Sequence, residues 1–257
     1  MSQQKQWVKE RYGAIATQAR SGCCGSSPNQ GAAEIATRIG YQEADTAAVP
    51  EGANLGLGCG NPLALAGIVP GETVLDLGSG AGFDAFLASP RVGPTGKVIG
   101  VDMTPEMIAQ ARANAATGGY ANVDFRLGDI EALPVEDGSA DLVISNCVLN
   151  LVPDKTKAFA EIVRVLKTGG RIAISDIVLE KPLPETLSED AEAYCACISG
   201  AMPREEYLAK LAAAGLKEVA VESAADASAL LAGDCCEGGA GSELSGVATS
   251  IHVTARK

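Results

Sequence analysis

Short apolar runs alternate with amphipathic segments along most of the chain. The runs at 74–77, 97–101, 123–127, 141–145 and 171–178 are continuous enough to be buried strands of a parallel sheet. Between two of them, Met107, Ile108, Ala111 and Ala115 share one helical face after Thr104-Pro105, a typical helix start. With two further strands at 216–221 and 247–255, the pattern predicts an α/β fold with a doubly wound, mostly parallel, seven-stranded sheet.

The regular alternation is interrupted near both ends of the chain. Residues 7–20 and 32–38 are predicted as helices, and a glycine-rich stretch at 55–62 is predicted to be irregular. Pro153 opens a later helix that Gly169-Gly170 is expected to stop, and further helices are predicted at 188–199 and 203–214. We therefore expect an N-terminal helical lid at 1–70, an α/β core at 71–180 and a helical insertion with the last strands at 181–257.

The first predicted strand ends in a glycine-rich turn. Gly78, Gly80 and Gly82 follow the pattern G-x-G-x-G, whereas dinucleotide-binding loops follow G-x-G-x-x-G. Asp76, two residues ahead, suits a ligand with a positive group better than a pyrophosphate. Asp102, 20 residues beyond Gly82, ends the next strand, where a carboxylate can meet ribose hydroxyls. An ordinary ligand-free turn and a nicotinamide-dependent enzyme remain alternatives.

Composition and charge exclude several classes of protein. The 257 residues are 47% hydrophobic and 20% charged, as expected for a soluble globular protein. A formal net charge of −12 argues against nucleic acid or an anionic membrane as the main partner. The start of the chain lacks the apolar segment of a secretory signal, and there is no apolar run long enough to span a bilayer. We expect a cytoplasmic protein with no nucleic-acid or membrane partner.

Cysteine is unusually frequent. The thiols belong to Cys23, Cys24, Cys59, Cys147, Cys195, Cys197, Cys235 and Cys236. No C-x-x-C spacing occurs, so a common zinc site is not indicated, and a disulfide framework does not suit a chain of this size in a reducing compartment. A single cysteine is commonly a small buried apolar side chain. Several beside one sheet edge indicate ligands for a soft element instead.

Three of the cysteines can reach the edge where the cofactor is expected. Cys147 directly follows the fourth strand, at its carboxyl end. Cys59 lies in the glycine-rich stretch, which can fold over the same edge. Cys195 and Cys197 are two apart on a predicted helix, so only one can face the site easily. The single histidine, His252, lies in the last predicted strand, where its neighbours are expected to satisfy it. With no base visible, we expect a substrate that needs no deprotonation.

The glycine turn, together with Asp76, Asp102 and Gly128-Asp129-Ile130, resembles the cofactor motifs of class I S-adenosylmethionine-dependent methyltransferases. The resemblance implies S-adenosylmethionine as co-substrate. Its methionine part would be surrounded by Asp76, Gly78, Ser79 and Gly80, with Asn146 lining the methionine end. Asp102 would bind the ribose, and Met103, Asp129 and Ile130 the adenine. Ordinary core packing is an equally good explanation for Met103 and Ile130.

Three cysteine motifs resemble those of arsenite methyltransferases. They are the segments 57–62, 145–155 and 197–201, which surround Cys59, Cys147 and Cys197. The resemblance implies that these thiols bind arsenic(III) and catalyse its methylation, with Cys23 or Cys24 as the family's more N-terminal cysteine. We also expect a monomer and an external thiol reductant such as thioredoxin or glutathione.

This chemistry is consistent with the absence of a base, because the arsenic lone pair can attack the sulfonium methyl group with no proton to remove. Two electrons must then return to arsenic, and Cys59 is a candidate for one of two thiols that supply them. The pairs Cys23-Cys24 and Cys235-Cys236 are candidates for capturing arsenic or for unconstrained surface thiols. The alternatives are a methyltransferase of a small organic molecule and a non-enzymatic metalloid-binding protein.

Overall fold

The computed structural model of the chain describes residues 2–18, 28–188, 190–228 and 244–257. The strands are β1 (Thr73–Leu77), β2 (Lys97–Asp102), β3 (Val123–Leu127), β4 (Ala140–Asn146), β5 (Leu166–Leu179), β6 (Lys217–Asp226) and β7 (Ala248–Arg256). The helices are α1 (Gln3–Gln18), α2 (Pro28–Arg38), α3 (Glu43–Ala47), α4 (Phe83–Val92), α5 (Pro105–Gly118), α6 (Lys155–Val165), α7 (Glu185–Ser188), α8 (Ala191–Cys195) and α9 (Arg204–Ala213).

The seven strands form one sheet in the order β3-β2-β1-β4-β5-β7-β6. The first five strands pair in parallel, and β7 pairs antiparallel with both β5 and β6. The strand order reverses between β1 and β4, where doubly wound sheets leave a crevice at the carboxyl ends of their strands. The predicted fold class is confirmed, and the topology places the ligand crevice beside the glycine turn that follows β1.

Apolar side chains cover both faces of the sheet. In β1, Leu75 and Leu77 belong to a core cluster with residues of α6 and α9, whereas Val74 belongs to a second cluster with residues of α4. A third cluster joins α1 and α8 to the carboxyl ends of β4 and β5 and contains the buried cysteines. The N-terminal helix therefore packs directly over the predicted thiol site.

Two element boundaries differ from the sequence prediction. Gly169 and Gly170 do not stop a helix but lie within β5, where their backbone groups pair with those of Lys257 at 3.2 and 2.9 Å. Of the helix predicted at 188–199, the described residues form only the short helix α8, and α7 ends where the predicted helix begins. Asp190 caps α8 by accepting a hydrogen bond from Ala193 N at 2.7 Å. Cys197 then adopts a left-handed backbone, which no helix can continue through.

No helix among the described residues combines the length and the apolar character that crossing a membrane requires.

Candidate active site

A cleft of about 260 Å³ opens at the carboxyl ends of β1 and β4. Every described residue predicted for the cofactor and the arsenic lines it: Cys59, Asp76, Gly78, Ser79, Gly80, Asp102, Met103, Asp129, Ile130, Asn146, Cys147 and Cys197. The fold thus brings two motif sets together from separate parts of the chain. Cys23, Cys24, Cys235 and Cys236 lie outside the described residues.

The glycine turn needs glycine for two reasons. Gly78, Gly80 and Gly82 have left-handed φ values of 66°, 53° and 101°, which strain any other residue. A Cβ atom at Gly78 would also collide with the side chain of Val148. The backbone N–H of Gly80 donates to Asp102 at 3.0 Å, and Thr104 N donates to its other oxygen at 2.8 Å. The turn therefore presents bare backbone to the cleft and orients the Asp102 carboxylate.

Beside the glycine turn, the described part of the cleft contains buried polar atoms that lack hydrogen-bond partners. Among the described residues, Asp76 Oδ2 and Ser79 Oγ have no hydrogen-bond partner, although Asp76 is 2% exposed. Burial, and then the negative charge of Asp84, raise the pKa of Asp76 well above its ordinary value. A ligand with a positive hydrogen-bond donor would satisfy these atoms and favour the ionised carboxylate.

A hydrogen-bond network links the glycine turn to the loop that carries Cys59. The Tyr41 hydroxyl donates to Asp84 in the first turn of α4 at 2.5 Å. Asn146 Nδ2 donates to Tyr41 at 3.0 Å and to Gly60 O at 2.8 Å, and Asn146 Oδ1 accepts from Cys59 N at 3.1 Å. Burial raises the pKa of Asp84 to about 6, while its bonds from Tyr41 and Asn146 lower it. Neither Tyr41 nor Asp84 was predicted, since no local pattern places them side by side.

The three predicted thiols line the same cleft. Cys59, Cys147 and Cys197 are 4%, 9% and 3% exposed, and all are free. The sulfurs of Cys59 and Cys147 lie within 4.8 Å of each other, and Cys197 Sγ donates to Cys147 O at 2.6 Å. Burial raises the pKa of Cys59, and the bond to Cys147 followed by burial raises that of Cys197 well above its usual value. The site thus holds three neutral thiols at neutral pH.

The backbone beneath two of these thiols is strained. Cys147 and Cys197 have φ values of 57° and 65°, and Glu218 is the third described non-glycine residue with a positive φ. Asn150 Nδ2 holds the arrangement by donating to Ile177 O at 2.6 Å and to Cys197 O at 3.3 Å. Such strain persists where the surroundings enforce it, and it concentrates at functional sites. Here it turns two thiols toward the same cleft.

The last strand fixes the Cys59 loop from the other side. Ser250 Oγ donates to Cys59 O at 2.7 Å, and His252 Nε2 accepts from Asn61 N at 3.3 Å. Burial lowers the pKa of His252, so the neutral ring carries its proton on Nδ1 and donates to Ser223 Oγ at 2.7 Å. As predicted, neighbours satisfy both ring nitrogens. The histidine is a positioning residue for the loop.

A fourth group beside the thiols was not predicted. The Asp176 carboxylate is fully buried in β5, and one of its oxygens and the sulfurs of Cys59 and Cys147 all lie within 4.8 Å of one another. It accepts from Ile177 N at 3.0 Å and from the Tyr207 hydroxyl at 3.1 Å. Burial raises its pKa to about 7. The available signal was an acidic residue inside the otherwise apolar run at 171–178.

The remaining predicted residues lie at the rim of the cleft. Asp129 is paired with Lys5 of α1 at 2.5 Å, so this carboxylate attaches the N-terminal helix to the sheet. Ile130 is 7% exposed and belongs to the core cluster that includes Leu77, while Met103 packs against the cysteine cluster. Met103 and Ile130 can therefore each pack in the core and contact a ligand in the cleft. Cys195 ends α8 and is only partly buried.

Comparison with known proteins agrees with this geometry. Residues 68–217 match the model of a methyltransferase domain family. The chain is 48% identical over 230 residues to an arsenite methyltransferase of Halobacterium salinarum, covering 84% of this chain and 58% of that protein. It is 43% identical over 152 residues to one of Aquipseudomonas alcaligenes, covering 56% of this chain and 43% of that protein. It thus spans less than two thirds of these relatives.

A solved structure supports the same relationship over most of the fold. The crystal structure of an arsenic(III) S-adenosylmethionine methyltransferase from Chlamydomonas reinhardtii aligns with a TM-score of 0.60 at 31% sequence identity. The alignment covers 88% of this chain and 72% of that one. The chain therefore belongs to the arsenite methyltransferase family, within the methyltransferase-domain superfamily.

Proposed function

We propose that the chain transfers the methyl group of S-adenosylmethionine to arsenic(III) bound by Cys59, Cys147 and Cys197. One observation carries this proposal: three buried thiols and a glycine turn with unpartnered acidic oxygens line the same cleft. The related arsenite methyltransferases support the same activity. Because all these residues come from one chain, we expect the monomer to be active.

The residues around the glycine turn fit the cofactor. The unpartnered Asp76 oxygen and Ser79 hydroxyl are suited to its methionine part, together with Gly78, Gly80 and Asn146. The fixed Asp102 carboxylate has lone pairs left for ribose hydroxyls. Met103, Asp129 and Ile130 line the side where the adenine would lie. When bound, the cofactor supplies an electrophilic methyl group on a positively charged sulfonium.

The thiols fit arsenic(III) as the substrate. Soft thiol ligands suit this element, and three of them complete its pyramidal coordination while leaving a lone pair free. Each neutral thiol can exchange with an arsenic-bound hydroxide or thiol, passing its proton to the water or thiol that leaves. The raised pKa values of Cys59 and Cys197 are therefore no obstacle. No general base is needed, which agrees with the positioning role of His252.

The chain contributes alignment of the two reactants. Asn150 and the left-handed backbones fix the sulfurs of Cys147 and Cys197, while the Tyr41, Asp84 and Asn146 network connects Cys59 to the cofactor turn. Holding two reactants in attack geometry is worth about 7–11 kcal/mol in favourable cases. We also propose that residues 1–70 act as a lid, supported by the Lys5–Asp129 ion pair.

The reaction also needs electrons. Methyl transfer to the lone pair leaves arsenic formally pentavalent, so two electrons must return to it. Two of the arsenic-bound thiolates supply them by leaving arsenic together as one disulfide, and water or an external thiol takes the vacated position and releases one proton. Cys59 and Cys147 are the candidates, since their sulfurs lie within 4.8 Å of each other. An external thiol system such as thioredoxin or glutathione then reduces the disulfide.

The test is methylation of arsenite by the purified chain with S-adenosylmethionine and a dithiol. Cys147→Ser and Cys197→Ser should abolish product while keeping cofactor affinity, measured by calorimetry. Cys195→Ser is the matched control, because this partly buried thiol ends α8, and it should keep activity. Full activity in either of the first two variants would remove the thiol mechanism.

The same samples separate the competing functions. Methylation of an organic acceptor that survives alkylation of all thiols would favour a methyltransferase of small organic molecules. Arsenite binding without any cofactor binding would favour a metalloid-binding protein that is not an enzyme.

A further inference from the structure

The thiol site contains a donor that trigonal arsenic does not need. Arsenic(III) is complete with three sulfurs, yet the buried Asp176 carboxylate lies within 4.8 Å of the Cys59 and Cys147 sulfurs. The carboxylate is not isolated, since Ile177 N and the Tyr207 hydroxyl fix its orientation. Each of its oxygens keeps a lone pair after these bonds. Two sulfurs and one oxygen therefore form a mixed donor set.

This donor set matches the geometry of a tetrahedral d¹⁰ cation. Zinc binds sulfur at about 2.3 Å and carboxylate oxygen at about 2.0–2.2 Å, which places neighbouring donors about 3.5–3.8 Å apart. The three donor atoms already lie within 4.8 Å of one another, so the distances between them need to shorten by only about 1 Å. The Cys197 thiol, which donates to Cys147 O at 2.6 Å, lies beside this set and can complete the tetrahedron as a neutral ligand.

The local charges also balance. Two thiolates and one carboxylate carry three negative charges, and a divalent cation offsets two of them. The third is offset by Lys155, which is 8% exposed and interacts electrostatically with Asp176 and Cys197. The Lys155 ammonium is held in place by Val152 O at 3.2 Å and Asn150 O at 3.5 Å. A buried, nearly neutral cation site results.

We propose that Cys59, Cys147 and Asp176 bind a thiophilic divalent cation, Zn²⁺ or Cd²⁺. Binding converts two thiols to thiolates, and their two protons, together with any proton on Asp176, pass to the buffer. Under the function proposed above, the cation occupies the thiols that arsenite requires and so inhibits methylation. Asp176 distinguishes the two ligands, because the cation uses its carboxylate and arsenite does not.

The experiment is a titration of the full chain with Zn²⁺, and with Cd²⁺ followed by its ultraviolet thiolate charge-transfer band. Cys23, Cys24, Cys195, Cys235 and Cys236 are first replaced by serine, so that thiols elsewhere do not contribute. We expect one cation per chain. Asp176→Asn, which keeps the side-chain shape, should weaken cation binding at least about tenfold and leave arsenite affinity within about twofold. Equal cation affinity in Asp176→Asn would overturn the proposal.

A matched control separates the carboxylate from its surroundings. Tyr207→Phe removes the hydroxyl that donates to Asp176 but keeps the ligand oxygen. Losing a hydrogen bond to a ligating carboxylate should weaken cation binding by about tenfold, but X-ray absorption of zinc-loaded Tyr207→Phe should still show an oxygen ligand. Absence of that oxygen shell in Tyr207→Phe would show that Asp176 does not coordinate the cation and would contradict the proposal.

X-ray absorption of the zinc-loaded parent chain tests the site even if Asp176→Asn does not fold. An oxygen shell beside two or three sulfurs supports the proposal, and an all-sulfur shell overturns it. None of these measurements uses S-adenosylmethionine. Failure to bind zinc therefore leaves the methylation proposal standing, and failure to methylate leaves the cation site standing.

Discussion

The buried carboxyl of Asp84 makes folding stability depend on pH in a way that can be measured. Burial raises its pKa from an ordinary value of 3.8 to about 6. At about 1.36 kcal/mol for each pH unit, this difference corresponds to about 3 kcal/mol of folding free energy. We therefore predict that Asp84→Asn, which cannot ionise, changes the pH dependence of unfolding.

The sign follows from the direction of the shift. Because the pKa is raised in the folded state, the folded chain binds more protons than the unfolded chain between about pH 4 and about pH 6. The stability from this group is complete below that range and is lost as pH rises through about 6. About 1.4 kcal/mol of the loss falls between about pH 5 and about pH 8.

Urea denaturation of both proteins at these two pH values is the assay. The stability of Asp84→Asn relative to the parent should rise by about 1.4 kcal/mol from the lower to the higher pH. Glu72→Gln is the control, because hydrogen bonds from Arg171 at 2.6 and 2.9 Å lower the pKa of Glu72. Its relative stability should change in the opposite direction. A difference between Asp84→Asn and the parent that is constant with pH would refute the reasoning.

Three further substitutions test the network and the thiol site. Tyr41→Phe removes a donor that lowers the pKa of Asp84, so the pH-dependent loss should move to higher pH in the same assay. Asn150→Ala leaves two buried carbonyls without this donor, and we expect about 2 kcal/mol lower stability in urea and reduced arsenite methylation. Gly200→Ala would push a Cβ atom into Asn150 O, and we expect it to lower the free energy of unfolding in urea by about 1–3 kcal/mol. Gly31→Ala is the control, because its Cβ atom would lie in open space on α2, and it should leave this free energy unchanged or raise it.

Residues at strand ends were predictable from the sequence because topology determines their position. The run that became β4 ends directly before Cys147, and parallel strands bring their carboxyl ends to one edge. The same reasoning predicts Asp76 and Asp102 beside the cleft, since these acids lie at the carboxyl ends of β1 and β2. Periodicity also predicted the five parallel strands, since buried parallel strands have a nearly unbroken apolar pattern.

Contacts between distant segments were not predictable. Tyr41 and Asp84 are 43 residues apart, and only tertiary packing brings the hydroxyl to the carboxylate. Asp176 lies inside an apolar strand, and its value as a ligand depends on the Cys59 loop folding over it. The glycines at 169–170 were misassigned because their partner, Lys257, is the last residue of the chain.

The left-handed backbones of Cys147 and Cys197 lower the stability of the folded chain at positions that the proposed activity requires. This conformation costs a residue other than glycine about 1–2 kcal/mol. Glycine at either position would relieve this strain, but it would also leave a cavity in place of the buried thiol. Each such variant would lose a thiol of the proposed arsenic site. Under the function proposed above, directed evolution of this chain for heat resistance should hold both codons constant and search for stability elsewhere.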